Sequence, residues 1–398
     1  MIKEVDMIIK SKFDKQYKSG SPLITKESLI NINKLNEEGM LCNLYYEDKS
    51  FAGKGYYGKQ NKGYGWILSK DINVVIDEKF FYSKIKEAIL YREEFFKDEE
   101  TTAFRVFSGE GDGIGGLTID YFAGYYMITW YSLGIFQFSE DIIKALLKAT
   151  EVKGLYQKKR FNTEGKYVEG DDFIWGEEAP VPYVVKENGV KFAVYLNDGP
   201  MVGVFLDQRE VRRTIKDKYS EGRSVINLFS YTGAFSVFAL KGGATKTTNV
   251  DLANRSRAKT KEQFELNGID ADSQEIIVED VFNYFKYATK KEKTFDLVIL
   301  DPPSFARSKK HRFSVSKDYP ELLMDAIQLT NVNGIIVAST NYSGFNMNKF
   351  KQFIDIAFNE CSIKYKIKEE FTLPKDFKVN KNYKEGDYLK VVFVQRLS

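Results

Sequence analysis

Residues 225–251 constrain the fold more than any other stretch. Val225 to Phe229 is a short apolar run that enters a turn of Ser230, Tyr231, Thr232 and Gly233. Apolar residues then recur at helical spacing (Phe235, Phe238, Ala239), Gly242-Gly243 closes that helix, and the run Thr247 to Val250 ends on Asp251. Strand, turn, helix, strand is one βαβ unit, with its polar residues at the carboxyl ends of the strands, where open α/β sheets bind ligands. A dinucleotide site needs G-x-G-x-x-G for close approach of a pyrophosphate, and this turn holds only Gly233. No G-K-[S/T] follows a glycine-rich loop, so a P-loop is missing as well. The unit suits a nucleoside-like ligand without phosphates, because an acid after the second strand can accept both hydroxyls of a ribose. S-adenosylmethionine (SAM) fits that description. The plainer alternative is a βαβ unit whose acid merely faces solvent.

Phe295 to Leu300 is a second buried-strand pattern, and it ends in Asp301-Pro302-Pro303-Ser304-Phe305. Two prolines cannot continue the ladder and stiffen the loop, which leaves an acid and an aromatic ring as a pocket edge for a flat base. Between these motifs, Val278-Glu279-Asp280-Val281-Phe282 supplies another strand-end acid, placed where an adenine amino group would be met. Three acids at three successive strand ends form a specific pattern.

On these residues, together with Gly203-Val204-Phe205-Leu206-Asp207-Gln208-Arg209 and Gly386-Asp387-Tyr388-Leu389-Lys390, the chain resembles the class I SAM-dependent 23S rRNA methyltransferases with an N-terminal PUA domain. The resemblance implies an α/β chain: a Rossmann-like class I methyltransferase domain preceded by a small PUA-like β-barrel and an α+β middle domain. It implies segments 1–70 (PUA-like, RNA-binding), 71–183 (middle domain) and 184–398 (methyltransferase). As cofactor contacts it implies Gln208, Arg209, Asn227, Phe229, Ser230, Tyr231, Thr232, Gly233, Asp251, Asp280, Val281 and Asp301. Asp301, Pro302, Pro303 and Phe305 would hold the target base. Three departures stand out: Met201-Val202 where relatives carry Lys-Thr, Ser339-Thr340-Asn341 where some carry a cysteine, and Asp376-Phe377-Lys378 where Asp-His-Pro is common.

Composition bounds the rest. At 398 residues, two or three domains are expected. No stretch approaches a membrane span, and Met1-Ile2-Lys3-Glu4 opens no apolar signal segment. Two cysteines, Cys42 and Cys361, suit a reducing cytoplasm, and with one histidine they argue against a zinc site. A net charge of +3 means that nucleic-acid contact must come from local patches. Lys54 to Tyr64 interleaves lysines with aromatics, and Lys158-Lys159-Arg160-Phe161 repeats the mix. Ala306 to Lys317 carries Arg307, Lys309, Lys310, Arg312 and Lys317 with no acid, so Lys309, Lys310 and Arg312 are expected to meet phosphates. His311 reads as an RNA contact or a bystander.

In chain order, Phe80 to Phe96 is expected as one helix, Ser139 as the cap of a helix through Lys148, and Glu110 and Asp112 as turn residues. Ala179-Pro180-Val181-Pro182 reads as the linker before the catalytic domain. The expected partner is 23S rRNA or a large-subunit precursor, with no membrane; a homodimer is compatible with the sequence. Methylating C5 of a pyrimidine requires a thiolate adding at C6. Neither cysteine lies near the motifs, and a ring nitrogen needs no covalent help, so N7 of a guanine is the expected acceptor, with an exocyclic amine, cytosine C5 or a non-catalytic RNA-binding factor as alternatives.

Overall fold

The computed structural model describes residues 3–60, 63–161, 172–199, 201–307 and 312–398. They form two compact units: Met1–Val185 with Tyr195–Val202 and Lys375–Gly386, and Lys186–Val194 with Gly203–Pro374 and Asp387–Ser398.

The first unit holds two five-stranded sheets. One comprises β1 (Glu4–Ile8), β2 (Leu23–Ile24), β3 (Leu41–Tyr45), β4 (Phe51–Gln60) and β5 (Gly63–Ser69) in the order β1-β3-β4-β5-β2. Met7, Ile9, Tyr17, Cys42 and Leu44 are among its core. The other comprises β6 (Ala103–Ser108), β7 (Leu117–Phe122), β8 (Tyr125–Trp130), β9 (Gly154–Lys159) and β10 (Phe173–Gly176), in the order β10-β9-β8-β7-β6. Phe81, Ile85 and Ala88 of the helix Glu78–Tyr91, and Ile142 and Leu146 of the helix Ser139–Ala149, share a core with Phe104, Ile128 and Trp130.

Three expectations change here. The single helix over 80–96 is two, Glu78–Tyr91 and Glu93–Phe96, broken at Arg92. Arg92 is fully buried; its guanidinium donates to Asp112 at 2.7 Å and twice to the Asp376 carbonyl at 2.8 and 2.6 Å. Asp112 is therefore a buried ion-pair partner as well as a turn residue, since it also accepts the Ser108 N–H. Ser139 opens its helix but does not cap it; Ser132 caps the preceding turn instead. The departure at 376–378 is structural: Asp376 accepts the Arg105 N–H at 2.9 Å, and the Arg105 guanidinium lies 4.4 Å over the Phe377 ring.

Next in the chain come β11 (Tyr183–Glu187) and β12 (Val190–Val194). The second unit is built on β13 (Ser224–Leu228), β14 (Lys246–Asp251), β15 (Glu275–Val278) and β16 (Phe295–Leu300). A small hairpin, β17 (Phe305–Arg307) and β18 (Arg312–Ser314), precedes β19 (Thr330–Thr340), β20 (Tyr365–Phe371) and β21 (Lys390–Arg396). The seven-stranded order is β15-β14-β13-β16-β19-β21-β20; the first five run parallel, and β21 pairs antiparallel with both β19 and β20. Both faces are covered, so β13 buries apolar residues on either side, with Asn227 the one polar break: Val225 packs on one face with Phe235 and Leu297, Ile226 and Leu228 on the other with Val298 and Leu300. The strand order reverses between β13 and β16, which opens a crevice at their carboxyl ends.

Candidate active site

The turn after β13 is held in an unfavourable conformation. Phe229, Tyr231 and Gly233 all have positive φ, at 59°, 51° and 75°. For non-glycine residues that costs on the order of 1–3 kcal/mol each and persists only where the surroundings enforce it. Here the Ser230 N–H donates to the Val250 carbonyl (3.0 Å), the Tyr231 N–H to Asp251 (2.8 Å) and the Thr232 hydroxyl to the Gly203 carbonyl (2.8 Å). Only glycine fits position 233, since a Cβ there would lie 2.6 Å from Thr260 Cγ2. The helix Ala234–Lys241 starts directly after it.

The three strand-end acids converge. Asp251 accepts backbone N–H groups from Tyr231 and Ala253, each at 2.8 Å. Asp280 caps the helix Val281–Lys290 by accepting the Phe282 N–H at 2.9 Å. Asp301 follows β16, and burial pushes its carboxyl up to about 6; Asp207 adds to the rise, while Ser339, Arg212 and Gln208 oppose it. The Gln208 amide reaches both Asp301 oxygens at 3.4 Å and the Ser339 hydroxyl at 2.9 Å. The Ser339 carbonyl in turn accepts the Tyr319 hydroxyl at 3.0 Å, and Asp207 accepts the Tyr388 hydroxyl at 2.9 Å.

A cleft of about 360 Å³ lies among these groups, within the range of small-molecule sites. Of the expected cofactor contacts, Gln208, Phe229, Ser230, Tyr231, Thr232, Asp251, Asp280, Val281 and Asp301 line it. Arg209, Asn227 and Gly233 stand behind it: Arg209 is 2% exposed, and buried Asn227 donates to the Ser236 hydroxyl at 3.1 Å. Arg212, on the helix Arg209–Thr214, is buried. It grips buried Glu187 through two bonds of 2.7 Å and the Phe205 carbonyl through a third, which fixes the wall carrying Phe205. Pro302 and Pro303 line the cleft, whereas Phe305 lies outside it with its residue 68% exposed. Arg312 is exposed on β18; Lys309, Lys310 and His311 fall outside the described residues.

Phe205, Leu252, Phe282 and Ala306 are lining residues that pattern reading did not single out for contact. Apolar side chains directly after strand-end acids, as in Asp251-Leu252 and Asp280-Val281-Phe282, were the available signal. The Gln208 Oε1 is buried and, among the described residues, has no hydrogen-bond partner, which leaves an acceptor at the cleft. Paired acids, apolar walls and such an acceptor fit a ligand with hydroxyls, a flat base and an amino group. Among the described residues no cluster could hold a metal ion, and no helix is long and apolar enough to cross a membrane.

Comparison with known proteins agrees. Residues 107–365 match the family model of the S-adenosylmethionine-dependent methyltransferases, and 7–70 match a PUA-like domain. The Bacillus subtilis protein YwbD, whose name proposes it as a ribosomal RNA large subunit methyltransferase, is 54% identical over 381 residues, covering 95% of this chain and 96% of that one. Ribosomal RNA large subunit methyltransferase I of Aeromonas hydrophila is 31% identical over 380 residues, with coverage of 94% and 95%. Among solved structures, SMU.776, described as a proposed methyltransferase complexed with SAH, superposes with a TM-score of 0.91 at 38% identity, covering 99% of this chain and all of that one. A proposed SAM-dependent methyltransferase from Streptococcus mutans gives 0.89 at 37%, with 99% and 100% coverage. The chain belongs to the S-adenosylmethionine-dependent methyltransferase family, carries a PUA-like domain at its N-terminal end, and uses SAM as its methyl donor.

Proposed function

We propose that this protein methylates a base of the large-subunit ribosomal RNA, at N7 of a guanine. The RNA assignment is supported by the names of relatives that align over nearly their whole length. The SAH seen in the SMU.776 complex supports the cleft as the cofactor site. Asp251 would hold the ribose hydroxyls, Leu252, Val281 and Phe282 would line the adenine site beside Asp280, and Gln208 with the Ser230–Thr232 turn would receive the methionine end. SAM supplies an electrophilic methyl, so the chain's task is alignment and electrostatics. Pro302 and Pro303 set the rim against which the target base lies, and Asp301 faces the charge that grows on it.

The choice of a nitrogen over a pyrimidine C5 is carried by one observation: neither cysteine of the chain lines the cleft. Cys42 lies buried in the first unit with its thiol pushed up to about 12, and Cys361 follows the helix Met347–Glu360, against Gln328. β19 ends in Ser339 and Thr340, followed by Asn341, where a nucleophilic thiol would be needed for C5. A ring nitrogen with a lone pair needs no covalent help. Chemical cleavage at 7-methylguanosine should map one large-subunit site that disappears when the gene is deleted. Loss of 5-methylcytidine instead would refute the acceptor assignment.

A further inference from the structure

Unlike Asp301, Pro302 and Pro303 of the same motif, Phe305 does not line the cleft. Among the exposed large aromatic residues described, Phe305 is the most exposed, and it does not stand alone. Its ring meets Tyr342 edge to face, with centroids 6.2 Å apart and planes at 83°. The two rings make an open corner at the mouth of the cleft, next to the lining residues Pro303, Ala306 and Asn341.

The Tyr342 wall is built to stay in place. The Lys390 ammonium is buried and donates to the carbonyls of Tyr342 (2.9 Å) and Tyr388 (2.7 Å), and it sits 5.6 Å over the Phe345 ring. Tyr342 packs on Phe345, and Phe345 on the buried Phe350 and Phe353. The Tyr342 ring lies on Gly344, where a Cβ would come within 2.3 Å of Cε1. The Ser304 hydroxyl donates to Asn341 at 2.7 Å, tying the Phe305 loop to the Tyr342 loop. Surface aromatics held this firmly have little freedom left to lose on binding.

Charge identifies the occupant. Residues 302–317 and 341–354, the two segments that carry the corner, contain no aspartate or glutamate, while the first holds five lysines and arginines and the second two. Flat ring faces carried on chain segments that hold basic residues and no acid match an unpaired base and its phosphate. We propose that Phe305 and Tyr342 hold one unpaired base of the substrate RNA, the neighbour of the base that enters the cleft. This rests on the reading of the substrate as RNA.

The test is steady-state kinetics of the full chain on large-subunit RNA from cells lacking the protein. Losing one base stack at Tyr342→Ala should raise KM for RNA about tenfold, with kcat and SAM affinity unchanged. Tyr342→Phe keeps the ring face and should stay within about twofold of wild type. Gly344→Ala has ordinary backbone geometry but displaces the ring, so it should reproduce the alanine effect while melting normally. An unchanged KM in Tyr342→Ala, or equal losses in Tyr342→Ala and Tyr342→Phe, would overturn the stacking role and leave the substrate reading standing. A wild-type protein that methylates no RNA would overturn both.

Discussion

Replacing Asp251 by alanine separates what this acid does for the turn from what it does for the ligand. Its carboxylate accepts the Tyr231 and Ala253 N–H groups at 2.8 Å each. It thereby holds Tyr231 at a φ of 51°, a conformation that relaxes unless enforced. Hydrogen bonds to an ionised group contribute about 1.5–3 kcal/mol when desolvated, and about 1 kcal/mol each is reasonable for a half-exposed carboxylate. Asp251→Ala should therefore lower the stability of the second unit by about 2 kcal/mol, a fall of several degrees in Tm. Two ribose bonds lost from the complex add about 3 kcal/mol, or roughly a hundredfold in Kd. Calorimetric titration with SAH and a thermal scan on the same sample read the two terms separately. A lowered Tm with a Kd within about threefold of wild type would show that the acid only anchors the turn, and would refute the ribose contact.

Arg212→Met should strand the Glu187 carboxylate in the interior and cost about 3–5 kcal/mol in chemical denaturation, while Arg212→Met with Glu187→Gln should recover much of it. The transfer rate at saturating SAM should fall as pH drops through about 6, where Asp301 takes up a proton, and Asp301→Asn should abolish that limb. The stability sign is opposite: the folded chain holds this proton more tightly than the unfolded one, so wild type should gain stability relative to Asp301→Asn as pH falls from about 7 to about 5. Neutralising Lys309, Lys310 and Arg312 together should flatten the dependence of log RNA affinity on log salt by roughly two units or more and leave SAM binding unchanged; an unchanged slope would make the basic run an ordinary solvated surface.

What was legible in the sequence follows from burial. β13 and β16 are covered on both faces, so they stand out as short apolar runs, and the acids that end them mark the crevice. Non-local packing was not legible. Helical periodicity runs on through Arg92, and nothing within ten residues of it shows that its guanidinium binds a carbonyl at Asp376. For the same reason Tyr195–Val202 and Lys375–Gly386 fall into the first unit although they lie beyond residue 184. Phe205 and Phe282 look like core residues in one dimension, because an apolar side chain carries the same pattern whether it faces a helix or a ligand. The unpartnered oxygen of Gln208 and the corner between Phe305 and Tyr342 exist only once strands distant in sequence lie side by side.

The most direct test of the account is transfer of a labelled methyl group from SAM by the purified protein to large-subunit RNA from cells that lack it, followed by nucleoside mass spectrometry. The account predicts stoichiometric labelling recovered as 7-methylguanosine, none on RNA from cells that contain the protein, and loss of the signal in Asp251→Ala at limiting SAM. Label recovered as 5-methylcytidine would contradict the acceptor, and SAM binding without transfer to either large-subunit RNA or its precursor particle would contradict the function.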